Sequence, residues 1–328
     1  MKRRNAIKLS FLLCFFLSIV LLTGASKPKW SFIVTGDSRS SGGDSGVNTA
    51  ILSELAEEII NKRVDFVLFS GDLVNGYVNQ AALENQLNTW RNIMRPVYDA
   101  HIGVYVVRGN HDVGSPAGVT AWNNIFRGKF ALPNNGPSGE ENLTYSVAHK
   151  NAFIVAVDQY VRPQRVNQAW LDSQLASNTK LHLFIFGHEP AFKTEHENCL
   201  GTYPADRDAF WASIEKAGGR TYFCGHDHFY NHARVDNDGN TANDIHQYIV
   251  GTAGAPLYDW PGNYDGDNSN YTLQNIHHAK EFGYVLIKIS GPKVTVRWMK
   301  RTEPGIYEAA EKWKYTASVK KIPQLKAH

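Results

Sequence analysis

Five apolar segments of this chain end in a glycine that is followed at once by Asp, Asn or His. The five places are Gly36-Asp37, Gly71-Asp72, Gly109-Asn110-His111-Asp112, Gly187-His188 and Gly225-His226-Asp227-His228. One such string is a weak signal, because a lone strand-end Asp is usually a helix N-cap and a lone His is usually structural. Five together are more specific, since ligands bind at the carboxyl ends of the strands in an open α/β sheet. The pattern therefore predicts an α/β fold in which these strand ends converge on one site.

The first three of these segments alternate with amphipathic stretches. Strands are expected over Trp30–Thr35, Asp65–Phe69 and Val104–Val107. Helices are expected between them, over Val47–Lys62 and Ala82–Asp99. This βαβαβ opening predicts a mainly parallel sheet with covering helices.

The second half of the chain changes from helix-linked to turn-linked strands. Helices are expected near Gln164–Ser177 and Ala205–Ala217, and the strands over Thr144–Ala148, Phe153–Val157, Leu181–Phe186, Arg220–Cys224, His246–Val250, Tyr284–Ile289 and Val294–Met299. We expect two sheets packed together with helices outside, in one domain over residues 26–328. This domain comprises a motif-bearing core (31–230), later strands (231–300) and a tail (301–328) that forms a solvated surface or a frayed end.

Residues 1–25 have the organisation of a secretory signal. A basic stretch, Met1 to Lys8, precedes an apolar run of 14 residues, Leu9–Leu22, and small residues follow it. The run is shorter than the roughly 20 residues that a membrane-spanning helix needs. We expect a secreted or periplasmic protein with no membrane span after signal removal. Tethering to a membrane by an uncleaved N-terminal segment is the alternative.

The charge of the remaining chain argues against a nucleic-acid partner. The chain has 34 basic and 31 acidic residues, and four of the basic ones lie within residues 1–25. The remainder therefore has a net charge of −1, which gives no electrostatic reason to expect nucleic-acid binding. Cys199 and Cys224 lie in this remainder, and the sequence leaves open whether they form a disulfide or stay as buried thiols.

The order of the five strand ends, with the strings Gly109-Asn110-His111-Asp112 and Gly225-His226-Asp227-His228, resembles the calcineurin-like metallophosphoesterase family. The family's motifs run GD, GD, GNHD/E, GH and GHxH, and here they cover about residues 31–230. The resemblance implies a four-layer αββα sandwich, with two mixed β-sheets flanked by helices. It also implies a phosphoric ester hydrolase (EC 3.1 type) that acts on a small phosphate monoester or diester.

The types of the side chains give an independent reason to expect metal ions. Two carboxylates, one amide oxygen and three imidazoles, without a thiolate, suit Mn, Fe, Zn or Co. The resemblance implies two divalent ions held by Asp37, Asp72, Asn110, His188, His226 and His228. Asp72 would bridge the ions. Asn110, His188 and His226 would complete one site, and Asp37 and His228 would hold the other.

The resemblance further implies a mechanism. A hydroxide shared by two ions roughly 3.5–4 Å apart would attack phosphorus. His111 would be the general acid that protonates the leaving oxygen, and Asp112 would orient its ring. Asn110 is also expected to contact the substrate.

One position departs from the family's pattern. The family usually places a His two residues after the first Asp, and Arg39 stands there. A guanidinium has only donors and does not ligate a metal, so one site loses a ligand. Arg39 either binds substrate phosphate through a bidentate fork or pairs with a nearby carboxylate, and the sequence leaves both open. The change also raises an alternative function, a catalytically weak or inactive binding protein on the same fold; a single-metal hydrolase is a further candidate.

Two late loops, 236–244 and 259–270, are rich in Gly, Asn and Asp. Clustered oxygen atoms attract hard cations such as Ca²⁺. Neither loop has the twelve-residue ligand spacing with a terminal Glu, so turn chemistry is the favoured interpretation. Aromatic residues in and near the second loop, Tyr258 and Trp260 among them, would either stack on a nucleobase or aryl leaving group at a pocket rim or pack onto the second sheet, and packing is the favoured interpretation.

Overall fold

The computed structural model describes residues 29–43, 45–113, 118–264 and 270–317. The expected signal, residues 1–25, lies outside these ranges. Within them, no helix combines the length and the apolar character that crossing a bilayer requires.

Strands and helices alternate along the chain. The strands are β1 (Lys29–Thr35), β2 (Phe66–Phe69), β3 (Gly103–Val106), β4 (Tyr145–His149), β5 (Ala152–Ala156), β6 (His182–Phe186), β7 (Thr221–Cys224), β8 (Tyr230–Asp236), β9 (Ile245–Val250), β10 (Thr272–Ala279), β11 (Gly283–Ser290), β12 (Lys293–Glu303) and β13 (Ile306–Thr316). The α-helices are α1 (Thr49–Lys62), α2 (Gln80–Asp99), α3 (Asn110–Val113), α4 (Gly118–Ile125), α5 (Gln168–Ser177) and α6 (Pro204–Lys216).

The strands form two mixed sheets. One sheet has the order β13-β12-β11-β1-β2-β3, and the other has the order β10-β8-β9-β7-β6-β5-β4. In the first sheet β1, β2 and β3 are parallel, and β11 joins β1 in the antiparallel direction. In the second sheet β5, β6, β7 and β9 are parallel, and β4, β8 and β10 are antiparallel to their neighbours. The expected fold class, two mixed β-sheets with flanking helices, is confirmed.

The main apolar core lies between the two sheets and extends under α1 and α2. Aromatic rings meet across it: Phe32 of β1 lies edge-on to Phe184 of β6 at 4.9 Å, and Tyr230 of β8 stacks on Trp298 of β12 at 4.1 Å. A second apolar cluster packs α5 and α6 against the second sheet. Removal of this apolar surface from water is what holds the layers together.

Asparagine caps set the starts of the two long helices. The side chain of Asn48 accepts a hydrogen bond from the backbone N–H of Ile51, and Asn79 does the same for Ala82. A side-chain oxygen at this position satisfies one of the unpaired N–H groups of the first turn. The helices therefore begin at residues 49 and 80, where the sequence pattern alone placed them at 47 and 82.

Residues 306–316 of the predicted tail form β13 and pair with β12, so a frayed end is wrong for this segment, while its mostly exposed side chains agree with a solvated surface. The strands β8 and β10 were missed as well. In β8 the residues Asn231 and His232 are polar but buried, so they interrupt the apolar run that would have marked a buried strand. In β13 the aromatic side chains alternate with charged ones, and most of the strand is exposed. A sheet-edge strand of this kind has too little apolar content to be distinguished from a solvated tail.

Cys199 and Cys224 are free, buried thiols. Burial raises the pKa of Cys199 to about 12 and raises the pKa of Cys224 well above its ordinary value. Neither thiol is therefore an activated nucleophile. Among the described residues the fold rests on its core and not on a disulfide.

A chain of polar groups, of which the two histidines are buried, links β13 to the second sheet. Glu311 of β13 hydrogen-bonds with His232 Nδ1 at 3.0 Å, and His232 Nε2 hydrogen-bonds with His246 Nδ1 at 2.6 Å. The ring of His246 also stacks on Trp313 at 3.8 Å. Burial, assisted by neighbouring His232, lowers the pKa of His246 to about 2. His246 is therefore neutral in the folded protein across the physiological range.

Replacing His246 by Asn should make the protein less sensitive to acid. Because the pKa of His246 is lower in the folded than in the unfolded state, its neutral form contributes fully above about pH 6.5. Below about pH 6.5 the unfolded chain binds a proton at this histidine and the folded protein does not. The free energy of unfolding therefore decreases as the pH is lowered. Urea unfolding at pH 7 and pH 5 should show that the variant loses about 2 kcal/mol less than the wild type. His101→Asn, the same substitution at an exposed histidine, is the control; equal losses in wild type and His246→Asn would contradict the prediction.

Candidate metal centre

The carboxyl ends of β1, β2, β3, β6 and β7 meet and bring all six predicted ligands together. Ligand atoms of Asp37, Asp72 and His188 lie within 4.8 Å of one another. The Asn110 side-chain oxygen lies 3.1 Å from His188 Nε2 and 3.0 Å from His226 Nδ1. His228 Nε2 lies 3.7 Å from Asp37 Oδ1. The ligands predicted for the two metal ions thus surround the carboxylates of Asp37 and Asp72.

Each of the three histidines has one ring nitrogen fixed from outside the centre. His188 Nδ1 hydrogen-bonds with the carbonyl of Ser70 at 2.7 Å, and His228 Nδ1 with the carbonyl of Pro256 at 3.0 Å. His226 Nε2 lies 3.3 Å from the side-chain oxygen of Asn198. The other nitrogen of each ring faces the centre. Partners of this kind fix the tautomer and the ring orientation of metal-binding histidines.

The glycines that precede the ligands are needed because the backbone passes very close to the carboxylates. A Cβ atom on Gly109 would lie 2.1 Å from Asp72 Oδ1, and one on Gly225 would lie 2.1 Å from Asp37 Oδ2. Three of the ligand candidates also have left-handed backbones, with φ of 61° at Asp37, 50° at Asp72 and 73° at His226. Such conformations are uncommon outside glycine and cluster at functional sites.

The electrostatics of the cluster favour a cation. Burial, and then the charge of Asp72, raise the pKa of Asp37 well above its ordinary value. Burial lowers the pKa of His188, that of His226 strongly, and that of His228 to about 4, with Arg39 adding to the last shift. The imidazoles are therefore neutral, which is the state that ligates metals. A largely buried cluster of two carboxylates, an amide oxygen and neutral imidazoles fits divalent transition metals.

Arg39 lies beside this cluster. Its Nε is 3.8 Å from Asp72 Oδ2, which is within ion-pair distance but beyond a hydrogen bond. The same Nε is buried and has no hydrogen-bond partner, while the side chain as a whole is 21% exposed. The guanidinium therefore lies near Asp72, but Asp72 does not accept a hydrogen bond from its Nε.

His111 lies at the edge of the cluster, on the first turn of α3. Its backbone N–H donates to Asp72 Oδ1 at 3.0 Å, and its Nδ1 hydrogen-bonds with the carbonyl of Asn75 at 2.6 Å. Its Nε2 lies 3.9 Å from Asp72 Oδ2, and its ring is 17% exposed. Tyr77, which is largely exposed, lies edge-on to the ring at 4.9 Å. His111 thus presents one fixed ring toward a site that solvent reaches.

The predicted role of Asp112 in orienting His111 is wrong. The carboxylate of Asp112 is fully buried and accepts hydrogen bonds from the backbone N–H groups of Gly109, Leu73 and Val74. Burial, and then the charge of Asp72, raise its pKa to about 8. Asp112 joins the loops after β2 and β3, and the carbonyl of Asn75 takes the place that the sequence assigned to it. A backbone carbonyl has no residue-type signature, so the sequence could not show this contact.

Sequence reasoning also missed His196, which lies on the loop after β6. Its Nδ1 hydrogen-bonds with Asp227 Oδ1 at 2.5 Å, and its ring lies 4.5 Å from that of His226. The hydroxyl of Tyr258 donates to the carbonyl of His226 at 3.2 Å. Asp227, placed between two predicted ligands, was the only sequence signal for this arrangement. Tyr258 and Trp260 pack against the second apolar cluster, as the sequence predicts.

Comparison with known proteins gives both sequence relatives and solved structures. The serine/threonine-protein phosphatase CPPED1 of Bos taurus is 24% identical over 242 residues, which cover 68% of this chain and 70% of that protein. The purple acid phosphatase PPD1 from yellow lupin (Lupinus luteus) has a TM-score of 0.67 at 15% identity. The match covers 88% of this chain but 54% of the lupin chain, so this chain spans about half of that enzyme.

A third similar protein is GAP50, the anchor in the inner membrane complex of Plasmodium. It has a TM-score of 0.63 at 15% identity and covers 89% of this chain and 90% of its own. At these identities the solved structures show the fold alone. The sequence profile of the calcineurin-like phosphoesterases matches residues 31–230, the range that holds all five strand-end motifs. The chain therefore belongs to the calcineurin-like phosphoesterase family.

Proposed function

We propose that this chain hydrolyses phosphate esters at a centre of two divalent metal ions. The observation that supports this most directly is the meeting of Asp37, Asp72 and His188, with ligand atoms within 4.8 Å of one another. Family membership and the bovine relative, which is named a phosphatase, support the reaction class. The substrate is expected to be a small phosphate monoester or diester.

The residues fit two metal ions in the way the motifs suggest. Asp72 would be shared by both ions. One ion would also bind Asn110, His188 and His226, and the other would also bind Asp37 and His228. Bound divalent cations would lower the pKa of water and neutralise phosphoryl charge.

The chain's own groups complete the chemistry. His111 would donate a proton to the leaving oxygen through Nε2, because its Nδ1 is held by the carbonyl of Asn75. Arg39 would bind a phosphoryl oxygen with the part of its guanidinium that Asp72 leaves free. The side-chain amide of Asn110 donates to the hydroxyl of Tyr77 at 3.2 Å, which fixes its oxygen toward the histidines.

The function is tested by hydrolysis of p-nitrophenyl phosphate and bis(p-nitrophenyl) phosphate. The chain without residues 1–25 is stripped with a chelator and then assayed with Mn²⁺, Fe²⁺, Zn²⁺ or Co²⁺. We expect turnover that appears with at least one metal and disappears when the chelator is restored. Absence of chelator-sensitive turnover on both esters would contradict the proposal. Metal analysis that gives about two equivalents separates it from a single-metal hydrolase.

Replacing Arg39 by Ala should raise KM by about tenfold or more, because a charge-assisted contact to phosphate is lost. The metal content should stay unchanged. Arg39→Lys is the matched control, since it keeps the charge but loses the bidentate fork and should recover only part of the affinity. An unchanged KM would refute the phosphate contact, and a changed metal content with the same KM would assign Arg39 to pairing with Asp72.

A binding protein on the same fold is the second candidate. It is favoured by Arg39, which stands where the family has a metal-ligating His and whose Nε lies 3.8 Å from Asp72. The GAP50 structure, described as an anchor, is a neighbour of this fold. This candidate predicts metal binding of one equivalent or less and no turnover with any ester in the panel above.

We also propose that the protein is exported, to the periplasm or beyond the cell. The support is the basic, apolar and small-residue order within residues 1–25. The mass of the mature protein recovered from the producing cell should lack a segment of about this length. Recovery of the full-length chain from the membrane fraction would instead support the uncleaved tether.

A further inference from the structure

The loop between β8 and β9 lies far from the metal centre. β8 begins two residues after His228 and runs for seven residues to Asp236. An extended strand of this length spans roughly 20 Å, so the loop is at the opposite end of the sheet. Anything that binds there is separate from the phosphoesterase site.

Three aspartates converge in this loop. Carboxylate oxygens of Asp236, Asp238 and Asp244 lie within 4.8 Å of one another. The loop is closed locally, because Asp236 Oδ1 accepts hydrogen bonds from the backbone N–H groups of Asp238 at 3.0 Å and Gly239 at 2.6 Å. Asp238 likewise accepts hydrogen bonds, from the backbone N–H of Asn240 at 2.8 Å and from the side-chain amide of Asn243 at 3.0 Å. These bonds shape the turn and leave both oxygens of Asp244 without a hydrogen bond.

Asp244 is the residue that the turn does not explain. It is 3% exposed, and neither of its carboxylate oxygens has a hydrogen-bond partner. Arg234 Nε lies 3.4 Å from Asp244 Oδ2 but makes no hydrogen bond to it. Arg220 donates instead to the backbone carbonyls of Asp244 and Ala242. A buried carboxylate without hydrogen bonds is unfavourable unless another group satisfies it.

We propose that Asp236, Asp238 and Asp244 bind a calcium ion. The donors are all oxygens, which hard cations prefer, and Ca²⁺ tolerates the irregular geometry of a loop better than Mg²⁺ does. The three carboxylates outnumber the two adjacent guanidinium groups, those of Arg234 and Arg220, so the loop keeps a net negative charge that attracts a cation. The ion would satisfy the Asp244 oxygens, which have an ion pair to Arg234 at 3.4 Å but no hydrogen bond. It would also fix the loop, whose Asn237 donates to Glu215 of α6 at 2.9 Å, in its position beside α6.

The test measures Ca²⁺ binding by the chain with Asp72→Asn, so that the phosphoesterase centre contributes least. Chelator-stripped protein is titrated calorimetrically with CaCl₂, and thermal unfolding is followed with and without the ion. We expect one equivalent of Ca²⁺ with micromolar to millimolar affinity and a higher Tm in its presence. Adding Asp244→Asn should weaken binding by at least about tenfold and remove the Tm shift.

Two further variants keep the result interpretable. Asp238→Asn changes an exposed residue, so it should fold normally and still weaken binding severalfold. Asp259→Asn, in the other acidic loop, is the matched control and should bind as the parent does. The proposal is overturned if the parent does not bind Ca²⁺, or if Asp238→Asn binds as tightly as the parent. Either result leaves the phosphoesterase proposal standing, because the two sites share no residue.

Discussion

Replacing Asp72 by Asn should lower kcat by at least about a thousandfold and reduce the bound metal from two equivalents to one or none. Asp72 lies within ion-pair distance of Arg39, His111 and His188 at once, so no other ligand candidate is as central. Asn keeps the oxygen that accepts from the His111 backbone N–H at 3.0 Å. The change therefore removes charge while keeping the local hydrogen bond. Turnover of p-nitrophenyl phosphate and elemental analysis of the purified variant measure the two effects.

Asp99→Asn is the control for this experiment. Asp99 is an exposed carboxylate at the end of α2 and pairs with Lys129 at the surface. It should leave both kcat and metal content as in the wild type. If Asp72→Asn retained two equivalents of metal and normal turnover, Asp72 would not be a shared ligand and the proposed centre would fail.

Replacing His111 by Asn should lower kcat by about 10²–10⁴-fold and leave the metal content unchanged. His111 is held through Nδ1 by Asn75 and contacts Asp72 through its backbone, so its ring is free to serve the substrate. A general acid matters most when the leaving group is a poor one. The loss should therefore be larger for an alkyl phosphate than for p-nitrophenyl phosphate, whose leaving group needs little protonation.

The dependence on the leaving group separates catalysis from structure. A variant that is merely misfolded would lose activity equally on both esters, and its metal content would fall as well. His101→Asn, at an exposed histidine, should match the wild type on both substrates. Equal losses of kcat on the alkyl and aryl esters, with two metals still bound, would remove His111 from the role of proton donor.

Much of the fold was predictable because its strands and helices have strong periodic patterns. The βαβαβ opening and the helices α1 and α2 follow directly from their apolar spacing. The strand β8 was not predictable, since its buried Asn231 and His232 are satisfied by tertiary partners that the sequence does not display. The strand β13 was not predicted for the opposite reason: it is an exposed edge strand with many charged residues.

The sequence predicted the residues of the candidate site but not the hydrogen-bond partners that hold them in place. The Gly-Asp, Gly-Asn and Gly-His strings located all six converging side chains. The carbonyls of Ser70, Asn75 and Pro256, which hold the rings of His188, His111 and His228, have no sequence signature. The true position of Asp112 against backbone N–H groups was hidden for the same reason. Residue types in a sequence indicate which side chains are candidates for catalysis or metal binding. The backbone groups that hydrogen-bond to them are determined only by the folded structure.

The left-handed backbones at Asp37, Asp72 and His226 have a consequence for how the centre responds to ions. Each such conformation is disfavoured by roughly 1–3 kcal/mol and persists only because the surrounding fold imposes it. The free-energy cost of these backbone conformations is therefore met when the protein folds and not when a cation binds. The ligand residues are already arranged for binding, so an ion does not have to change the backbone conformation. Its affinity is then not reduced by a conformational penalty. Loss of the metals should accordingly leave the backbone of the centre almost unmoved.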